Sequence, residues 1–327
     1  ISTTKGLGHS AYTLLQEVGE NAVADWLPFY PQPNEISDYA LNKSIRPRSV
    51  PMDLRDLYKE HGLLRAGLRQ MMQRARDMRP EVEDIGTLPP ISTIIAGGSA
   101  LTNTGTPAYD MLLIADCLQP TGVTEIKTDP HGMIPAMNAL ARTSPQAAVQ
   151  LIEGDGLDHL GTLVNIDGQP PYGRNIAKIT ILDTDDKDAN TIPLKSGRLA
   201  LLSGISARIR ITCNIGYSIG GKRRVDITLA GGLLVIDTRG RVFMPPQSVA
   251  DRAEQMPQWI ADVTEVDIIP IPDEWLIAPD MPAAEMPSQA DAKKTSGKKS
   301  EADEDDSLAA LDELAALGDD DDDLFAS

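Results

Sequence analysis

From about residue 90 onward the apolar residues of this chain recur at every second position in short runs, and only a pleated, half-buried strand uses that period. The runs predict strands at 92–96, 110–117, 123–128, 160–166, 176–182, 198–203, 207–213, 224–229, 233–237 and 263–269, with helices at 131–152, broken near Ser144-Pro145, and at 247–261. Before residue 90 the spacing is helical. The expected fold class is therefore α+β: a helical N-terminal region with an extended arm at 1–88, then a mainly antiparallel, strand-rich core domain at 89–277.

Within the first region, Tyr12, Leu14, Leu15, Val18, Val23, Trp26 and Leu27 predict one or two short helices, stopped at Pro28. Residues 34–50 read as an extended arm with Pro47 and Pro51 bracketing Arg46 and Arg48. The clearest helix is 51–79, with Leu54, Leu57, Leu64, Leu68, Met71 and Met72 on one face and Pro80 as its stop. Arg55, Arg65, Arg69, Arg74, Arg76 and Arg79 lie on the other. That face is either solvated and balanced by Asp53, Asp56, Glu60 and Asp77, or a contact for a polyanion.

The formal charge of −18 argues at first against a polyanionic ligand. Its placement reverses the argument: residues 301–327 carry twelve acids and no base, so residues 1–300 hold only −6. Residues 278–300, rich in Pro, Ala, Ser and Lys, have the composition of a flexible linker, and 301–327 that of a disordered acidic interaction tail. Cys117 and Cys213 sit in apolar segments, which predicts buried thiols and a cytoplasmic setting, that of the host if the chain is phage-encoded. An uninterrupted apolar run of spanning length and a signal-peptide pattern are both missing, so no membrane partner is expected.

The segment 206–230 offers the best binding surface. Ile209, Ile211 and Cys213 alternate with Arg208, Arg210 and Thr212, and Val225, Ile227 and Leu229 with Arg224, Asp226 and Thr228. This predicts a hairpin with one apolar and one basic face, its connection carrying Tyr217, Lys222 and Arg223. A second loop holds Tyr172 and Arg174. Cations that follow phosphates and rings on which bases stack are what single-stranded nucleic acid requires, so single-stranded DNA is the expected partner, with RNA open. The competing reading is an edge kept from aggregating by its charges.

No catalytic constellation is legible. His9, His61, His131 and His159 are scattered, no Cys-x-x-Cys occurs, and no metal or other cofactor is expected. The run 183–190 lacks the glycine and the distal Glu of a calcium loop and reads as a turn. Gly97-Gly98-Ser99 lacks the following Gly-Lys of a phosphate loop, and Asp129 before His131 reads as a helix start. The expectation is a binding protein, not an enzyme. A non-enzymatic structural or virion-like subunit, its arm exchanged between copies in a homo-oligomer, is the alternative.

The tail has internal structure of its own. Leu308, Leu311, Leu314 and Leu317 recur every three residues between Ser307 and Gly318, a short helix that would need a partner's groove to form. Asp319 to Asp323, with Leu324 and Phe325 behind them, resemble the tip of the acidic-tailed single-stranded DNA-binding proteins of bacteria and phages. The resemblance is confined to the tail, and here Ala326 and Ser327 follow the phenylalanine. It implies that Asp322, Asp323, Leu324 and Phe325 recruit replication, recombination or transcription proteins and that the tail regulates DNA access. Asp321 to Phe325 also resemble a degenerate sliding-clamp-binding peptide, which would make the chain an accessory factor. Removing residues 301–327 should then tighten single-stranded DNA binding, an effect that a fluorescence-anisotropy titration of both forms would measure and that added salt should shrink.

Overall fold

The computed structural model describes residues 6–77, 90–102, 104–154, 156–182, 191–230 and 232–279. All of these belong to one unit, residues 1–279. The expected linker, the tail with Leu308, Leu311, Leu314, Leu317, Asp322, Asp323, Leu324 and Phe325, and the turn at 183–190 lie outside the described residues.

The first region forms α1 (Ala11–Val18), α2 (Glu20–Ala24), α3 (Glu35–Ile45) and α4 (Leu54–Asp77). The body continues with β1 (Thr93–Gly97), α5 (Ser99–Thr102), α6 (Pro107–Leu118), β2 (Val123–Asp129), α7 (Ile134–Thr143) and α8 (Pro145–Glu153). Seven strands follow: β3 (Asp158–Asn165), β4 (Asn175–Ile181), β5 (Thr191–Lys195), β6 (Leu199–Leu202), β7 (Ser206–Cys213), β8 (Arg224–Ala230) and β9 (Leu233–Asp237). The last helix is α9 (Val249–Thr264).

Two sheets are built from these strands, in the orders β1-β2-β3-β9-β6 and β5-β4-β7-β8. The second is antiparallel throughout, while β1–β2 and β3–β9 are parallel pairs in the first. The α+β class with mainly antiparallel pairing thus holds.

At its centre the five-stranded sheet is buried on both faces, because alternate residues of β3 and β9 serve different cores. Leu163 and Val235 join the helices in one cluster, whereas Val164, Leu234 and Ile236 pack with Ile179, Ile209 and Ile211 of the other sheet. The register pairs Leu163 with Val235 and Val164 with Ile236, so each core receives a matched row. The result is three layers, namely helices, five strands, four strands.

Three expectations need correction, and one strand was not expected. Residues 110–117 are not a strand but the middle of α6, whose residues 108–117 are all buried; the short apolar run 111–115 has no period by which to tell the two apart. Residues 263–269 leave α9 at Glu265, which adopts a left-handed conformation at φ 55, and then run exposed without strand pairing. The arm at 34–50 is largely helical, because Ile36, Ala40 and Lys43 recur at helical spacing and all three are buried in α3. β5 was hidden by Pro193, which lies in an edge strand where a missing donor is tolerated.

Arg65 and Arg69 of α4 also differ from expectation, whereas exposed Arg74 pairs with Glu17 as a solvated face would have it and Arg79 lies outside the described residues. Residues 58–66 are buried without a break, so the helix runs through the interior and has no solvated face there. Gly67 lets α1 approach, since a Cβ there would meet Leu14 Cδ2 at 2.9 Å. Arg65 Nε donates to Asp116 Oδ2 at 2.8 Å, and Arg239 Nη2 lies 2.7 Å from Asp116 Oδ1 and 2.8 Å from Asp237 Oδ2. Arg241 Nη2 reaches Asp237 at 3.1 Å and also bonds Asn165. Burial pushes the Asp237 carboxyl up, but Arg239 and Arg241 more than offset that and hold it at about 2.

An alternating chain of buried charges fails when one link goes, because the remaining ions stay desolvated without a partner. Asp116→Ala should therefore cost about 3–5 kcal/mol of unfolding free energy, measured by urea denaturation. A loss below about 1 kcal/mol would refute the role assigned to this carboxylate.

Candidate functional site

A concavity lies just past the carboxyl end of β1, lined there by Ser99 and Ala100. One wall comes from the end of α3 and the start of α4, a second from α5, α6 and their connection, and a third from α9 and the segment after it. It encloses about 690 Å³, within the range of small-molecule sites. β1 ends in Gly97-Gly98, and a Cβ at either position would meet nothing within 4 Å, so the backbone there faces open space. Gly98 adopts φ +95, which explains its residue type.

The floor is apolar and polar in patches. Tyr58 is buried beside Leu54 and Leu57, and Ile260 and Ala261 oppose them from α9. Pro257, inside α9, also lines the cleft. Between these, His61 Nδ1 and the Tyr109 hydroxyl are 2.7 Å apart. Burial pulls the His61 pKa down to about 3, helped by the nearby Arg65, so the ring is neutral at pH 7. Burial raises the Tyr109 pKa, so its hydroxyl keeps its proton and shares one hydrogen bond with the imidazole.

Lys43 is held at the cleft edge by Glu60 Oε2 at 2.8 Å and by the Ser49 carbonyl at 2.5 Å. Tyr39 donates to the same carboxylate oxygen at 2.5 Å. Around the mouth stand the exposed Arg48 and Ser99 and the half-buried Thr104 and Thr106. Val50, Val266 and Ile269 add exposed apolar surface at 71%, 58% and 58%. The arrangement can hold a ring-sized apolar body with its polar end at the mouth.

The residues expected to bind nucleic acid lie elsewhere, on the four-stranded sheet. β7 and β8 pair with Arg210 opposite Asp226 and Thr212 opposite Arg224. Arg208, Arg224, Lys222 and Arg223 are exposed. Arg210 is half-buried and makes a two-pronged bond to Asp226, both contacts at 2.7 Å. Tyr172 is 57% exposed and Arg174 is exposed beside it. Asn214, next to the Tyr217 turn, donates through Nδ2 to the Asn175 carbonyl, which brings both predicted loops to one end of the sheet. Tyr217 is different: its ring packs against Gly168 and the second core, leaving it half-buried. Asp129 has the helix-start role expected of it, accepting from the amides of Met133 and Ile134 at 2.7 and 2.8 Å.

Sequence reasoning passed over the cleft. Gly97-Gly98-Ser99 was the visible signal, a glycine pair directly after a strand, but its partners Arg48, Tyr58 and Ile260 are distant in the chain. Cys117 and Cys213 are buried free thiols. Among the described residues no helix is long and apolar enough to cross a membrane.

Fold and cleft together define an α+β protein with a ligand-sized site at the end of a parallel strand pair. A family model described as MutL protein matches residues 1–155, a little under half of the chain. That stretch holds two of the three cleft walls, and its likeness to this chain stops before the four-stranded sheet. The chain matches no curated protein and no solved structure.

The buried neutral imidazole has a consequence for acid stability. The unfolded chain takes up a proton on His61 near pH 6.5 while the folded chain does so only at about 3, so folding loses stability as pH falls through that window. The slope is at most about 1.4 kcal/mol per pH unit. Urea unfolding of wild type and His61→Gln at pH 7, 5.5 and 4.5 should show the steeper loss in wild type. Equal slopes would remove His61 as the cause.

Proposed function

We propose that this chain binds a small phosphorylated ligand, a nucleotide being the class that fits, in the cleft at the end of β1. The observation that carries the reading is the cleft itself, with about 690 Å³ of space and largely apolar walls. A planar base would lie against the apolar walls formed by Leu57 and Ile260, and the hydroxyls of Thr104 and Thr106 would meet a sugar. Arg48 at the mouth would meet the phosphate, where a planar guanidinium gives two parallel bonds. The crevice beyond the carboxyl end of a parallel strand is where open sheets commonly take ligands. The MutL-like stretch supplies most of this lining.

The reading is one of binding in a reducing, cytoplasmic setting, in keeping with two buried free thiols. Recruitment of replication, recombination or transcription proteins by the tail is a separate proposal, resting on residues 301–327. Single-stranded DNA does not suit the cleft; the surface that would take it is the outer face of the four-stranded sheet.

Thermal unfolding with adenosine, ATP and inorganic phosphate tests the cleft. ATP at a hundredfold excess over its Kd should raise Tm by about 3–8 °C, adenosine by less, and phosphate least. Ala100→Trp, which fills the cleft, should abolish the shift. Unchanged Tm with millimolar nucleotide, or a shift that survives Ala100→Trp, would overturn the proposal.

A further inference from the structure

The four-stranded sheet buries one face, and among the described residues no helix packs on the other. Its inner face gives Ile176, Ile179, Leu194, Ile209, Ile211, Ile227 and Leu229 to the second core. By the two-residue alternation, the outer face carries Lys178 on β4, Arg208 and Arg210 on β7, and Arg224 on β8. Register places them in rows: Pro193, Lys178, Thr212 and Arg224 cross the sheet in one, and Thr191, Thr180, Arg210 and Asp226 in the next. Lys195, paired with Asn175 on the edge strand, is exposed at the same end.

The strands themselves are one-sided in charge, the acidic segment 183–190 that joins β4 to β5 lying outside the described residues. Asp226 is the one carboxylate that these four strands carry, and Arg210 already engages it. Lys178, Lys195 and Arg224 stand in or beside the row next to it, continued by Lys222 and Arg223 in the turn and by Arg174 ahead of β4. Threonines at 180, 212 and 228 fill the places between, adding hydroxyl donors without closing the surface. In a chain of net charge −18, such a face is a local reversal of sign.

We infer that this sheet face is a binding surface for single-stranded nucleic acid, with Lys178, Lys195 and Arg224 at its centre. The occupant follows from shape as well as charge. A sheet face projects no helix or ribbon into a duplex groove, so it cannot read or grip the major groove. An unpaired strand is flexible enough to lay its phosphates along a row of cations, and guanidinium planes accept stacked bases. Tyr172, although 57% exposed, lays its ring over Gly197 beside Phe243 and Trp259, and Tyr217 is half-buried, so neither ring belongs to this face. With cations and few rings, affinity is mainly electrostatic, tolerant of sequence and steeply dependent on salt. The surface lies outside residues 1–155 and is independent of the cleft.

Fluorescence anisotropy of a labelled twenty-nucleotide oligo-dT against the full chain tests this. Four phosphate contacts predict a slope of about −3 in log K against log salt, a loss of about 50–100-fold between 50 and 200 mM NaCl. Lys178→Glu with Arg224→Glu should weaken binding at least about tenfold at 50 mM, while Arg142→Glu on α7 leaves it unchanged. The milder pair Lys178→Gln and Arg224→Gln, which keeps the sheet uncharged at those sites, should flatten the slope by about 1.4 and guards against misfolding of the reversal. No binding at 20 mM salt, equal or tighter binding of duplex DNA, stronger capture by phosphatidylserine vesicles, or binding that ignores both pairs would each overturn the inference.

Discussion

The chain of buried charges from Arg65 through Asp116, Arg239 and Asp237 to Arg241 ties together distant parts of the sequence. Arg65 belongs to α4, Asp116 to α6, and Asp237 ends β9, so each ion joins a different layer edge to the next. Aromatic rings close around it: Arg239 lies 4.1 Å from the centre of Phe243 and 4.8 Å from Trp259, and Arg65 and Arg69 stack over Trp26. Such rings accept cations while excluding water, which strengthens every pair within. Arg69 also bonds the carbonyls of Asp116 and Phe243, so the same residue closes two loops of chain. Buried ions of this sort stabilise little in net terms, yet they dictate which helix meets which strand.

That cluster sets where the two candidate surfaces lie. Fixing α4 against α6 leaves the amino-terminal half of α4 beside the end of β1, and the cleft is the space that remains between them and α9. The sheet face is formed on the opposite side, beyond the second core. A small ligand and a polymer would therefore meet different layers, one held by helices and one by strands.

Much of the secondary structure was legible because it obeys simple periods. β7 and β8 alternate cleanly, and their apolar residues point to a core where the pattern places them. The failures have local causes. Residues 108–117 of α6 are surrounded on every side, so polarity carried no information about their period. Arg65 and Arg69 read as surface residues because charge normally stays in water, and only Asp116, distant in sequence, explains their burial. Tyr217 was placed in the right turn, but which way its ring leans depends on Gly168, and no local pattern encodes that contact. Lys178 was overlooked since a single lysine in an apolar strand acquires meaning only when register sets Thr212 and Arg224 beside it.

The order of the strands along the chain adds a last constraint. β3 lies in the larger sheet, β4 and β5 in the smaller, β6 returns to the larger, β7 and β8 go back to the smaller, and β9 returns once more. The polypeptide is laced through both sheets, so neither can be peeled off as a piece of continuous sequence. A protease that nicks one connecting loop would leave two interlocked fragments, and no gene truncation within this stretch could yield the smaller sheet alone.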